Sequence, residues 1–216
     1  MSEDTTPESV LRFWFGKPAT TPEELGPQLR RWFMGGSEMD AEVRLRFADD
    51  VHAAMVGRRD EWLSHPKGWL ALILLLDQFT RNVLRDSPRM YDGDARAQAL
   101  AVDALDSGRT HALPIGERHF ALMPLIHAES LASQERGVVE LVSLVEAAPP
   151  QLRPLYSMGI EQSRKYRDII ARFGRFPHRN AILGRASTAE ELDFLKDWEE
   201  KRAPAGAHEL PQAKPS

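Results

Sequence analysis

Cysteine is absent from the 216 residues, so neither a disulfide nor a thiolate metal site can form. That fits a reducing compartment. Long hydrophobic runs are missing too. The longest, Trp69 to Leu76, falls far short of the roughly 20 residues a membrane helix needs. Nucleotide and nucleophile signatures are lacking: no G-x-x-x-x-G-K, no G-x-G-x-x-G and no G-x-S-x-G occurs. Ser2-Glu3-Asp4-Thr5 is acidic and polar and shows no basic segment leading into an apolar stretch, so no signal peptide is expected. The expectation is a soluble, cytoplasmic protein without a membrane partner. A net charge of −4 weighs against a dedicated nucleic-acid binder, which must neutralise phosphates. Lysine is scarce as well, six of 28 basic residues, which leaves 22 arginines. A GC-rich genome accounts for that bias. The sharper alternative is that some guanidinium forks bind planar anions.

Helix signals dominate what is present. Thr6-Pro7-Glu8 reads as an N-cap with proline in the first turn, closed at Gly16. Thr21-Pro22-Glu23-Glu24 repeats the device, with Glu24 placed for a capping box. Ser37 is expected to cap a long helix with Met39, Val43, Phe47, Val51 and Met55 on one face and a stop at Gly57. Gly68 to about Leu84 is expected to be a central helix, because its first half is apolar all round. Further helices are predicted over 94–107, 114–122, from Pro124 onward, over 134–147, 152–173 and 188–202. One helical domain over residues 1–202 and a disordered tail over 203–216 follow. The clustered aromatics Phe13-Trp14-Phe15 and Trp32-Phe33 read as core.

Three polar segments could carry chemistry. Asp77-Gln78-Phe79-Thr80-Arg81-Asn82 follows directly on the apolar run. Asp77 and Arg81 stand four apart, acid first, on one face, with Gln78 and Asn82 on the next. His127-Ala128-Glu129 offers a general acid or base, but an H-x-E spacing does not aim both side chains one way on a regular helix. The third segment, Phe173-Gly174-Arg175-Phe176-Pro177-His178-Arg179-Asn180 with nearby Arg185, is a Gly/Pro turn loaded with cations. Its guanidinium groups would suit a phosphate or carboxylate; alternatively they pair with Asp77, Glu129 or Glu117.

These motifs, together with Val10-Leu11-Arg12-Phe13-Trp14-Phe15-Gly16, Met123-Pro124-Leu125-Ile126 and Leu183-Gly184-Arg185, give a chain that resembles the domain-of-unknown-function 924 family from about residue 8 to 200. The resemblance implies an all-α, tetratricopeptide-like, right-handed stack of antiparallel helix pairs. It implies no activity and no cofactor. The family commonly has proline where Thr80 stands, aspartate where Ser130 stands and histidine where Tyr166 stands. If Tyr166 stands in place of a ligand or base, metal or histidine-dependent catalysis is less expected in this chain.

The three segments are expected to meet at one place. Asp77, Gln78, Arg81, Asn82, Arg175, Arg179, Asn180 and Arg185 would line a cleft for an anionic small molecule or peptide, with no metal. Alternatively, His127, Glu129 and His178 supply the acid–base chemistry of a hydrolase or transferase acting on a phosphate- or carboxyl-bearing substrate. RNA contact through the arginine-rich turn is the third reading.

Overall fold

The structure is a computed structural model that describes residues 5–202, with side chains described through residue 198. The expected tail over 203–216 lies outside the described residues. Among these, every regular element is helical. The α-helices are α1 (Pro7–Phe15), α2 (Pro22–Met34), α3 (Gly36–Met55), α4 (Gly68–Ile73), α5 (Thr80–Val83), α6 (Asp94–Asp106), α7 (Ile115–His127), α8 (Leu131–Ala147), α9 (Arg153–Phe173) and α10 (Ala189–Arg202). No helix among the described residues is long and apolar enough to cross a membrane.

The helix ends follow local chemistry. The Thr6 side chain accepts from the Ser9 backbone while Ser9 reaches back to Thr6, and Thr21 and Glu24 do the same for α2. α9 stops at Gly174, whose φ of 68° is left-handed and favours glycine.

A buried rod forms the centre. α4 and α5 are joined by a π-helical turn over Leu74–Phe79, so Gly68 to Val83 runs as one helix with a wide turn in the middle. Trp69 to Leu76 are no more than 2% exposed, as the all-round apolar pattern requires. α1, α3, α6 and α7 pack around this rod. Phe79 closes the core against Phe13, Trp14 and Phe47, with ring centroids 5.9, 5.3 and 5.1 Å away. Each fully buried leucine or phenylalanine contributes roughly 1.5–3 kcal/mol. From α6 onward, consecutive helices pack side by side, α6 on α7, α7 on α8 and α8 on α9.

Three boundaries differ from expectation. α3 begins at Gly36 without a side-chain cap, so Ser37 lies inside the helix. Pro124 does not start a new helix but sits within α7. Phe120 to Ile126 are all buried there, and that packing outweighs the missing amide bond. α8 begins at Leu131 rather than Gln134, because Ser130 accepts from the Ser133 backbone.

Gly93 fixes how closely α6 approaches the rod. A Cβ at this position would lie 2.2 Å from the Leu76 carbonyl oxygen, which is backbone and cannot turn aside. Gly93→Ala is therefore expected to lower stability by about 1–3 kcal/mol, read by urea unfolding. An unchanged midpoint would mean that the approach is less tight than described.

Candidate functional site

The π turn carries Asp77, whose side chain is fully buried. π turns interrupt α-helices most often where a side chain has to be aimed. The Asp77 carboxylate is surrounded by donors. His127 Nδ1 donates to Oδ1 across 2.7 Å, Gln78 Nε2 donates to Oδ2 across 2.5 Å, and Arg81 Nη1 stands 3.3 Å from Oδ1. Arg81 Nη1 also donates to the Asp77 backbone carbonyl. Burial alone would raise the Asp77 carboxyl, but the charge of Arg81 and the bonds from His127 and Gln78 outweigh it and hold the group well below the usual carboxylate range.

Arg81 reaches onward. Its Nη2 lies 3.0 Å from both oxygens of Asp94, at the start of α6. Arg179 Nη1 stands 3.4 Å from the same carboxylate, and its Nη2 donates to the His127 carbonyl across 2.9 Å. The Arg179 guanidinium is sandwiched between the rings of Tyr91 and Phe176, 4.6 and 4.5 Å from their centroids. Two carboxylates and two guanidinium groups thus balance in one cluster. Burial, with help from the nearby Asp77 charge, pushes Asp94 up despite both arginines, and burial pushes Arg179 down.

The end of α7 is pinned at its backbone as well. Gln134 Nε2 donates to the carbonyls of Ile126 and Ala128, 2.5 and 2.9 Å away. The His127 ring and main chain are thereby held from three directions.

Asp77, Gln78, Arg81, His127 and Arg179 therefore converge. The remaining candidates form adjoining networks. Glu129 accepts from the Phe176 amide at 2.8 Å and pairs with Arg185, which also donates to the Asn180 side chain. Glu129 does not share a site with His127, in keeping with the two-residue spacing. Arg175 pairs with buried Glu191 through two bonds of 2.7 and 2.8 Å. The Arg175 bonds, backed by the Thr188 amide, hold the Glu191 carboxyl down at about 2. Asn82 turns to Asp40, beside Arg85, and Glu117 pairs with Lys67. His178 stacks on Trp198 at 5.2 Å, with planes 6° apart. Each guanidinium of the expected anion cleft, from Arg81, Arg175, Arg179 and Arg185, already holds a carboxylate. Among the described residues, no group of three or more acidic or histidine side chains could hold a metal ion.

Sequence reasoning missed Asp94 and Glu191. Both stand in the first turn of a helix, where an acid satisfies the helix N-terminus without any further partner. It also missed a cavity. Between α2, α7 and α9 lies an apolar cavity of about 420 Å³, walled by Leu29, Phe33, Met34, Met123, Ile126 and Leu155. Its size is that of a small-molecule site. His127 is part of its wall. With Nδ1 committed to Asp77, Nε2 is the ring nitrogen left over, and it makes no hydrogen bond among the described residues.

Buried His119 also lines the cavity, where burial lowers its imidazole to about 4. An unfolded histidine titrates near ~6.5. The unfolded chain therefore takes up this proton first, and stability is lost as pH falls from that value toward 4. At pH 5 the loss from this residue is about 2 kcal/mol relative to pH 7. His119→Phe is expected to remove that part of the pH dependence. Urea unfolding of both proteins at the two pH values checks it, and equal losses in the two would refute it.

The fold and the cluster define a helical protein with a histidine fixed between buried charge and an apolar cavity. Residues 10–199 match the family of bacterial proteins of unknown function, DUF924, and the chain belongs to it. Among solved structures, the protein of unknown function ATU0120 from Agrobacterium tumefaciens is similar, with 34% sequence identity and a TM-score of 0.71. The likeness covers 88% of this chain and 97% of that one. No curated protein matches the chain.

Proposed function

We propose that the protein is an enzyme in which His127 acts as a general base toward a molecule held in the apolar cavity. The hydrogen bond from His127 Nδ1 to the buried Asp77 carboxylate, at 2.7 Å, carries this reading. An ionised carboxylate only accepts hydrogen bonds, so Nδ1 holds its proton and neutral His127 presents its lone pair at Nε2. That nitrogen takes a proton from water or from a hydroxyl of the substrate. Asp77 stabilises the imidazolium that results. Arg81 keeps Asp77 from taking the proton itself, and Asp94 and Arg179 keep Arg81 and the His127 backbone in place. In this role Asp77 and Arg81 are positioning residues, as are Gln78 and Arg179.

The four paired arginines give the reading of an open anion cleft less support than the His127 pair. Glu129, Asn180 and Arg185 tie the 173–185 turn to the end of α7, and His178 belongs to the α10 side of that turn. A tetratricopeptide-like stack is the frame we propose for the site. The serial packing of α6 to α9 across short connections supports it.

The reading predicts a reactive imidazole even before a substrate is identified. Diethyl pyrocarbonate acylates unprotonated ring nitrogens, and mass spectrometry locates the label. His127 is expected to label while buried His119 does not, and Asp77→Asn to slow His127 labelling several-fold. Against a panel of p-nitrophenyl acyl esters, His127→Gln is expected to lower turnover by about 10²–10⁴ while the protein still unfolds cooperatively above the assay temperature. An unlabelled His127, or full turnover in His127→Gln, contradicts the proposal.

A further inference from the structure

Charge is distributed unevenly around the cavity beside His127. The lining holds no carboxylate, and its one arginine or lysine is Arg30 of α2. Arg81, Arg175, Arg179 and Arg185 each hold a carboxylate. Arg30 makes no hydrogen bond or ion pair among the described residues. Its side chain is exposed, and Nη1 lies 3.7 Å from where a Cβ on Gly26 would stand, one turn back along α2. No partner holds the guanidinium there. The exposed members of the lining are Arg30, Phe33, Met34, Met158 and Gln162, so the mouth opens between α2 and α9. Met123 and Ile126 of α7, no more than 7% exposed, form the floor. Met34, Met123 and Met158 make the wall soft and adaptable. Tyr156, Gln162 and Tyr166 add hydroxyl and amide groups on the α9 side.

We infer that this cavity binds a molecule with an alkyl or acyl body and a monoanionic head such as a carboxylate, the body lying inside and the head at the mouth beside Arg30. A charged head keeps its hydration only where water reaches it, so it belongs at the exposed rim and not on the apolar floor. At the rim, a guanidinium fork offers one carboxylate both a countercharge and paired donors. The unpaired cation sets the charge of the guest. A neutral head leaves the guanidinium unanswered, and a cationic head is repelled. As the substrate of His127 this molecule rests on the general-base reading; its binding at Arg30 does not.

The test uses calorimetric titration of the full chain with octanoate, with 1-octanol and with acetate at low salt. Saturable binding of octanoate is expected, and none of acetate, which has the head without the body. Arg30→Gln, at an exposed position, should weaken octanoate about 2- to 10-fold and leave 1-octanol within about twofold. Met158→Glu, on the exposed rim, should weaken octanoate more than 1-octanol, because it sets a like charge beside the head. Absence of saturable octanoate binding overturns the inference. So does an Arg30→Gln that weakens octanoate and 1-octanol equally or changes neither, and so does acetate binding as tightly as octanoate. His127→Gln is titrated in parallel. Octanoate binding preserved there, together with the Arg30→Gln loss, keeps the ligand class whether or not His127 moves a proton. Octanoate binding lost there but unchanged in Arg30→Gln would put the head at His127 and overturn the assignment to Arg30.

Discussion

A single buried carboxylate organises this protein. Asp77 sits at the wide turn of the central rod with no exposure to solvent, and an isolated charge there would be too costly to keep. Its neighbours follow from that constraint. Arg81 supplies the countercharge from the next turn, Gln78 satisfies the second oxygen, and His127 brings the third donor from the end of α7. Arg81 in turn needs Asp94, and Asp94 draws in Arg179. Through Arg179 the 173–185 turn is tied back to the His127 carbonyl. The chain of requirements therefore joins the rod, α6, α7 and the turn after α9.

His127 is where this charge cluster ends and the apolar cavity begins. One ring nitrogen is spent on Asp77, the other makes no hydrogen bond among the described residues, and the residue is part of the cavity wall. Its freedom to reorient is small, because Gln134 and Arg179 hold the backbone on either side. Fixing an imidazole this firmly, with one nitrogen open, is the arrangement that acid–base chemistry requires. The close approach of Gly93 to Leu76 serves the same end, since it brings the start of α6, and with it Asp94, against the π turn.

Much of the frame was legible because it rests on local chemistry. Capping threonines, terminal glycines and the apolar run Trp69 to Leu76 act within a few residues of themselves, so they marked the helix ends and the buried rod. Arg81 beside Asp77 was legible for the same reason, as a pair four residues apart. His127, Glu129 and the arginines of the turn were recognisable as chemistry out of place, and of the partners expected for those arginines Glu129 does pair with Arg185, whereas Glu117 pairs with Lys67. Asp94 and Glu191 look like ordinary first-turn acids, and only the tertiary fold turns them toward Arg81 and Arg175. The cavity was invisible for a further reason. Its walls come from α2, α7 and α9, whose lining residues lie far apart in the sequence. Pro124 shows the limit of a local rule, because core packing carries α7 straight through it.

The central claim is that Asp77 fixes the His127 ring with Nδ1 protonated and Nε2 open. Long-range proton–nitrogen correlation spectroscopy of the labelled protein reads the tautomer of each histidine directly. For neutral His127 the account predicts the Nδ1–H form, with a bare Nε2, and its conversion to a mixture of tautomers in Asp77→Ala. A neutral His127 protonated at Nε2 in the native protein would contradict it.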